Sequence, residues 1–129
     1  MRKGIYVLNF KFDNNTPIYI QLVEQIKIHI ISGYYGVGER LPSVRELAME
    51  TKVNPNTMQK ALSELEDLGL IYTERTNGKF VTTDTDLILS YKKQYADQLS
   101  KNFLLSMKSI GYDDKQALEY LKEMKGDKQ

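Results

Sequence analysis

Cysteine is absent from the 129 residues, which excludes a disulfide framework and any thiolate metal site. Histidine occurs once, at position 29, with no second ligand at metal spacing. His29 therefore reads as a packing or surface residue, and no metal is expected. Long hydrophobic runs are also missing. Ile5-Tyr6-Val7-Leu8, after Arg2-Lys3, begins like a signal peptide, but Asn9, Lys11 and Asp13 cut it short of a secretory core. The expected location is the cytoplasm, so the glycosylation-like Asn14-Asn15-Thr16 carries no weight. Neither charge sign dominates. Residues 1–83 hold 10 basic and 9 acidic residues, and residues 84–129 hold 8 of each. That balance excludes a non-specific nucleic-acid coater but not a protein needing local positive charge at one face. A Gly-rich phosphate loop, a nucleophile–histidine pairing and a carboxylate pair in a pocket context are all lacking, so neither catalysis nor a cofactor is expected.

What is present is ordered punctuation. Thr16-Pro17 suits a helix start, and Ile18, Leu22, Ile26 and Ile30, with Tyr19 and Val23, repeat at helical spacing up to Gly33. This helix, residues 17–32, is apolar around much of its circumference and is expected to be buried on more than one side. Ile5 to Phe12 reads as an arm or edge strand. After a Gly-rich connector, Ser43 and Glu46 form a capping box for a second helix with Val44, Leu47 and Ala48 inward. Val53 plugs the turn that follows. Asn54 caps a third helix with Pro55 at its first position, Met58, Ala61, Leu62, Leu65 and Leu68 facing the core, and Gly69 at its end. Two β-rich runs, Leu70–Arg75 and Lys79–Thr83, flank Thr76-Asn77-Gly78, a hairpin signal because a tight turn there needs positive φ. Two short helices and a hairpin make a winged helix-turn-helix.

From Asp84 a long amphipathic helix is predicted, with Ile88, Tyr91, Tyr95, Leu99, Phe103, Met107 and Ile110 on one stripe. Gly111 breaks it, Asp113 or Asp114 caps again, and Ala117, Leu118, Leu121 and Met124 mark a last helix. The class is α+β, mainly α: an N-terminal winged helix over 1–83, with 1–15 as arm or edge strand, then a two-helix segment over 84–129. Tyr34-Tyr35 reads as packing and Lys92-Lys93 as a solvated helix face.

The third helix carries the functional argument. At about 100° per residue, Asn56, Gln59, Lys60 and Ser63 oppose the apolar face, with Thr57 on the flank. Amides, hydroxyls and one lysine, with no carboxylate before Glu64, are groups that bond base edges and phosphates in a major groove. Arg45, in the first turn of the second helix, is opposed by the helix dipole by about 0.3–1 kcal/mol. A phosphate held by Ser43, Arg45 and the helix amides would account for it. Arg75, Asn77, Gly78 and Lys79 give the wing two cations and a flexible tip, suited to phosphate or minor-groove contact.

These residues resemble a known family. Pro17-Ile18-Tyr19-Ile20-Gln21-Leu22, the run from Gly38 to Ala48, Val53-Asn54-Pro55-Asn56-Thr57 and Arg75-Thr76-Asn77-Gly78-Lys79-Phe80-Val81 look like the GntR family of bacterial transcription regulators. The Asn-Pro-Asn-Thr form and short tail are most similar to its YtrA subfamily. The resemblance implies a dimer that represses at a palindromic operator in double-stranded DNA. It also implies a transporter operon as target, since such regulators are often encoded beside ABC transporter genes. By position, Ser43 and Arg45 resemble phosphate or base contacts, and Asn54, Asn56, Thr57 and Gln59 resemble recognition-helix contacts. Gly78 resembles the wing-tip glycine that enters the minor groove. The wing departs from the pattern in Thr76, where glycine is usual, and in Lys79, where a small hydroxyl residue is common.

The 46-residue tail is too short to enclose a pocket of about 300–1,000 Å³, the range small ligands occupy. Its apolar stripe is expected to be buried against a second copy through Ile88, Tyr91, Tyr95, Leu99, Phe103, Met107, Leu118 and Leu121. The alternative is a winged helix that docks another protein through its exposed face, without reading DNA.

Overall fold

The computed structural model describes residues 12–126. In chain order it holds α1 (Ile18–Ile31), α2 (Val44–Thr51), α3 (Pro55–Asp67), β1 (Ile71–Glu74), β2 (Gly78–Val81), α4 (Thr85–Ser109) and α5 (Asp114–Met124). It divides into two compact units, residues 1–92 and 93–129.

In the first unit, α3 packs against α1, α2 and β1. Leu22, Ile26 and Ile30 of α1 meet Leu47 of α2 and Met58, Leu62 and Leu65 of α3 in a core closed by Leu70, Ile71 and Val81. Each such side chain contributes roughly 1.5–3 kcal/mol over an exposed one. Ile88, 8% exposed, joins this core from the start of α4, with Leu87 and Tyr91 packed against it. The sequence reading assigns Ile88 and Tyr91 to a dimer surface. The structure corrects that for Ile88, whose side chain is already covered by its own chain.

Two further expectations change at α1. Pro17, not Thr16, is the N-cap, and it makes no side-chain cap bond. Gln21 supplies the missing order: its Nε2 donates to the Thr16 carbonyl at 2.6 Å and its Oε1 accepts from the Asp13 N–H at 3.0 Å. The helix also buries one stripe, not most of its circumference, since Ile18, Ile20 and Ile28 remain exposed. Of the expected arm, residues 1–11 lie outside the described residues; Phe12 packs on the core, and 12–16 form no strand.

β1 and β2 are antiparallel, paired Ile71 with Val81, Tyr72 with Phe80, Thr73 with Lys79 and Glu74 with Gly78. The loop is Arg75-Thr76-Asn77, one residue earlier than predicted. The Asn77 N–H donates to the Glu74 carbonyl at 3.2 Å, and only Gly78, at φ 100°, takes positive φ. That is a turn followed by a left-handed glycine, not a two-residue hairpin. A short third edge runs beside β2: the Leu41 N–H donates to the Lys79 carbonyl at 2.8 Å and the Val81 N–H to the Glu39 carbonyl at 2.9 Å.

In the second unit Asp113 and Gln116 form a reciprocal capping box at α5, which resolves the two cap candidates. Ala117 is fully buried, and Tyr112 meets Tyr120 edge-on at 5.8 Å. Leu99, Phe103, Leu104, Leu118 and Leu121 line an open groove of about 480 Å³. A ligand-sized hollow thus exists in the tail, but as an open groove and not an enclosed pocket.

Candidate nucleic-acid interface

The start of α3 is built by its cap. Asn54 Oδ1 accepts from the Asn56 N–H at 2.7 Å, and Pro55 takes the first helical position, where a missing N–H costs nothing. Met58, Ala61, Leu62 and Leu65 are fully buried, which turns Asn56, Gln59, Lys60 and Ser63 outward and leaves Thr57 half-buried. The polar face therefore lies in solvent. Its groups differ in freedom. Asn54 is occupied as a cap through its oxygen, leaving its amide nitrogen to donate. Gln59 Nε2 donates to Ser63 Oγ at 3.2 Å. Lys60 is laid over the Tyr19 ring, its Nζ 3.9 Å from the centroid.

At α2 the predicted capping box is present: Ser43 Oγ accepts from the Glu46 N–H at 3.0 Å, and Glu46 Oε1 accepts from the Ser43 N–H at 2.8 Å. The Ser43 N–H, first, and the Ser43 hydroxyl beside the carboxyl, second, hold the Glu46 carboxyl below its usual value, and the Arg40 charge adds to the effect. Arg45 is exposed beside them and forms no ion pair with Glu46 or Glu50. The box uses the Ser43 N–H and one lone pair of its hydroxyl, so a phosphate there could still accept from the hydroxyl proton and from Arg45.

On the wing, Arg75 and Asn77 are exposed, and Asn77 Nδ2 donates to Glu74 Oε1 at 3.1 Å. Lys79 is not at the tip. Cross-strand pairing places it opposite Thr73, where Nζ donates to Thr73 Oγ1 at 2.9 Å and lies 3.6 Å from Glu66 Oε1 of α3. Its amine is directed to the end of α3. Arg40 was not among the residues singled out from sequence, yet its guanidinium lies against Gly78. A Cβ on that glycine would stand 3.2 Å from Arg40 Nε. Only the pairing of 39–41 with β2, a contact remote in sequence, brings them together.

His29 is buried between Tyr34 and Tyr35, with ring centroids 5.2 and 5.8 Å away, and burial lowers its pKa. In the second unit Leu99 and Leu118 are 66% and 56% exposed, Leu121 is also exposed, and Tyr95, Phe103 and Met107 are half-buried. Among the described residues no group of acids and histidine is arranged to hold a metal, and no helix is long and apolar enough to cross a membrane.

A family model described as bacterial regulatory proteins, gntR family, matches residues 18–81. Over 112 residues the chain is 36% identical to the HTH-type transcriptional regulator YhcF of Bacillus subtilis, covering 87% of this chain and 93% of that one. Over 116 residues it is 35% identical to the HTH-type transcriptional repressor YtrA of the same organism, covering 88% of each. Among solved structures, a GntR family transcriptional regulator from Listeria monocytogenes matches with a TM-score of 0.77 and 40% identity over 87% of this chain and 98% of that one. The AraR DNA-binding domain in complex with an operator matches with a TM-score of 0.52 and 28% identity, over 56% of this chain and 93% of that one.

Proposed function

The chain belongs to the gntR family of bacterial regulatory proteins, whose members bind operator DNA and are not enzymes, and we propose that it is a homodimeric repressor acting at an inverted repeat. The observation that carries this is the outward face of α3: Asn56, Gln59 and Ser63 exposed along its first nine residues, with no carboxylate before Glu64. Such a face can enter a major groove without meeting phosphates with like charge. Repression follows the name of the relative YtrA; a transporter operon near the gene is the target that the resemblance to the YtrA subfamily implies.

The dimer reading rests on the second unit. Leu99 and Leu105 on the long α4 and Leu118 and Met124 on the short α5 are each more than half exposed, apolar surface that a second copy would cover. Two copies related by a twofold axis place their recognition helices about 34–36 Å apart, or a multiple of that.

Footprinting on the DNA upstream of the gene tests the proposal. The expected result is a protected inverted repeat, bound by a dimer, with affinity that falls steeply as salt rises. Leu99→Asp with Leu118→Asp should give a monomer that occupies half-sites independently. A wild-type monomer, or protection lacking twofold symmetry, overturns the dimeric reading.

A further inference from the structure

Between the start of α2 and the wing lies a groove of about 290 Å³, whose lining includes Arg40, Ser43, Glu74, Arg75 and Gly78. Arg40 is the best-placed cation in it. The backbone bonds of Glu39 and Leu41 to β2 fix the residue in register opposite Phe80. Its guanidinium rests on Gly78, with Nε 3.2 Å and Nη2 3.4 Å from where a Cβ would stand. The glycine is favoured by its φ of 100°, and a Cβ there would also push the arginine away by a few tenths of an ångström.

The carboxylates around it are otherwise engaged. Glu46 Oε1 accepts from the Ser43 N–H, and Glu74 Oε1 accepts from Asn77 Nδ2. Arg40 makes no ion pair with either. A planar fork held against backbone and exposed on its other side, with Glu46 near enough to feel its charge but not in an ion pair with it, is arranged for bidentate capture of an anion. Arg75 shares the groove, whereas Lys79, which also borders it, directs its amine to Glu66.

We propose that Arg40 holds a DNA backbone phosphate where the strand passes between α2 and the wing. This rests on the DNA-binding reading above and adds a contact outside the recognition helix. A phosphate contact fixes position and carries no base identity. Its loss should therefore weaken every duplex alike.

The test measures binding of the wild type, Arg40→Gln and Arg40→Lys to two duplexes, the upstream site and a scrambled sequence, between about 50 and 200 mM salt. Arg40→Gln should weaken binding to both by the same factor and lower the slope of log affinity against log salt by about one. Arg40→Lys should restore most of the slope, and thermal melting of all three should coincide. An unchanged slope overturns the assignment, as does a loss confined to the upstream site, which would make Arg40 a base reader. Wild type that binds neither duplex overturns the DNA reading itself, in an arm that involves no substitution.

Discussion

The ammonium of Lys60 lies 3.9 Å from the centre of the Tyr19 ring, so the single basic side chain of the recognition helix is laid against α1. A cation–π contact at an exposed site is worth about 0.5–1 kcal/mol. Lys60→Met and Tyr19→Leu should each destabilise the fold modestly, and the double variant should cost less than their sum by about that amount. Urea denaturation of the four proteins gives the coupling; strict additivity would show the contact to be energetically idle.

Arg75 and Lys79 were equivalent wing cations in the sequence, but only Lys79 is held by Thr73 and Glu66. Arg75→Gln should therefore reduce DNA affinity more than Lys79→Gln. Titrations at one salt concentration rank the two, and the reverse order would mean that Lys79 leaves Glu66 when DNA arrives. A partly exposed ion pair is worth only about 0–1 kcal/mol, so Lys79→Gln should have little effect on folding.

Asn54 has two roles that substitution can separate. Asn54→Ala removes the cap of α3 and should cost about 1 kcal/mol, within a range of about 0.5–2. Asn54→Asp keeps an oxygen for the Asn56 N–H and should retain most stability. It also places a negative charge at the DNA-facing start of the helix, so its binding should fall by more than its melting temperature suggests. Equal binding by Asn54→Asp and wild type would exclude Asn54 from the contact.

Acid should act through His29. Burial lowers its pKa below 6.5, so the unfolded chain takes up a proton at pH values where the folded chain does not. The associated stability is complete above about 6.5 and is lost as pH falls through that value towards the folded-state pKa, with a slope of at most about 1.4 kcal/mol per pH unit. His29→Gln should flatten denaturation midpoints between pH 7 and pH 5. An equal decline in both proteins would move the cause elsewhere.

Much of this architecture can be read along the chain because its signals are local. Ser43 with Glu46, Asn54 with Pro55, and Asp113 with Gln116 are caps whose partners lie within three residues. What could not be read depends on residues remote in sequence or on competition between near-equal local choices. Gln21 reaches back to order the entry to α1, so the helix starts at Ile18 without the expected hydroxyl cap. The placement of Arg40 on Gly78 and of Lys79 on Glu66 follows from strand register, which a propensity does not reveal. Periodicity identified the apolar stripe of α4 but could not say which of its residues would find their partner in the same chain.

Ile88 has a practical consequence for anyone dissecting this regulator. The end of the hairpin looks like a natural place to cut, yet a fragment stopping at residue 83 forfeits Leu87, Ile88 and Tyr91 and uncovers the hydrophobic interior they shield. A fragment carried on to residue 92 keeps that lining, and should melt at a distinctly higher temperature than the shorter one.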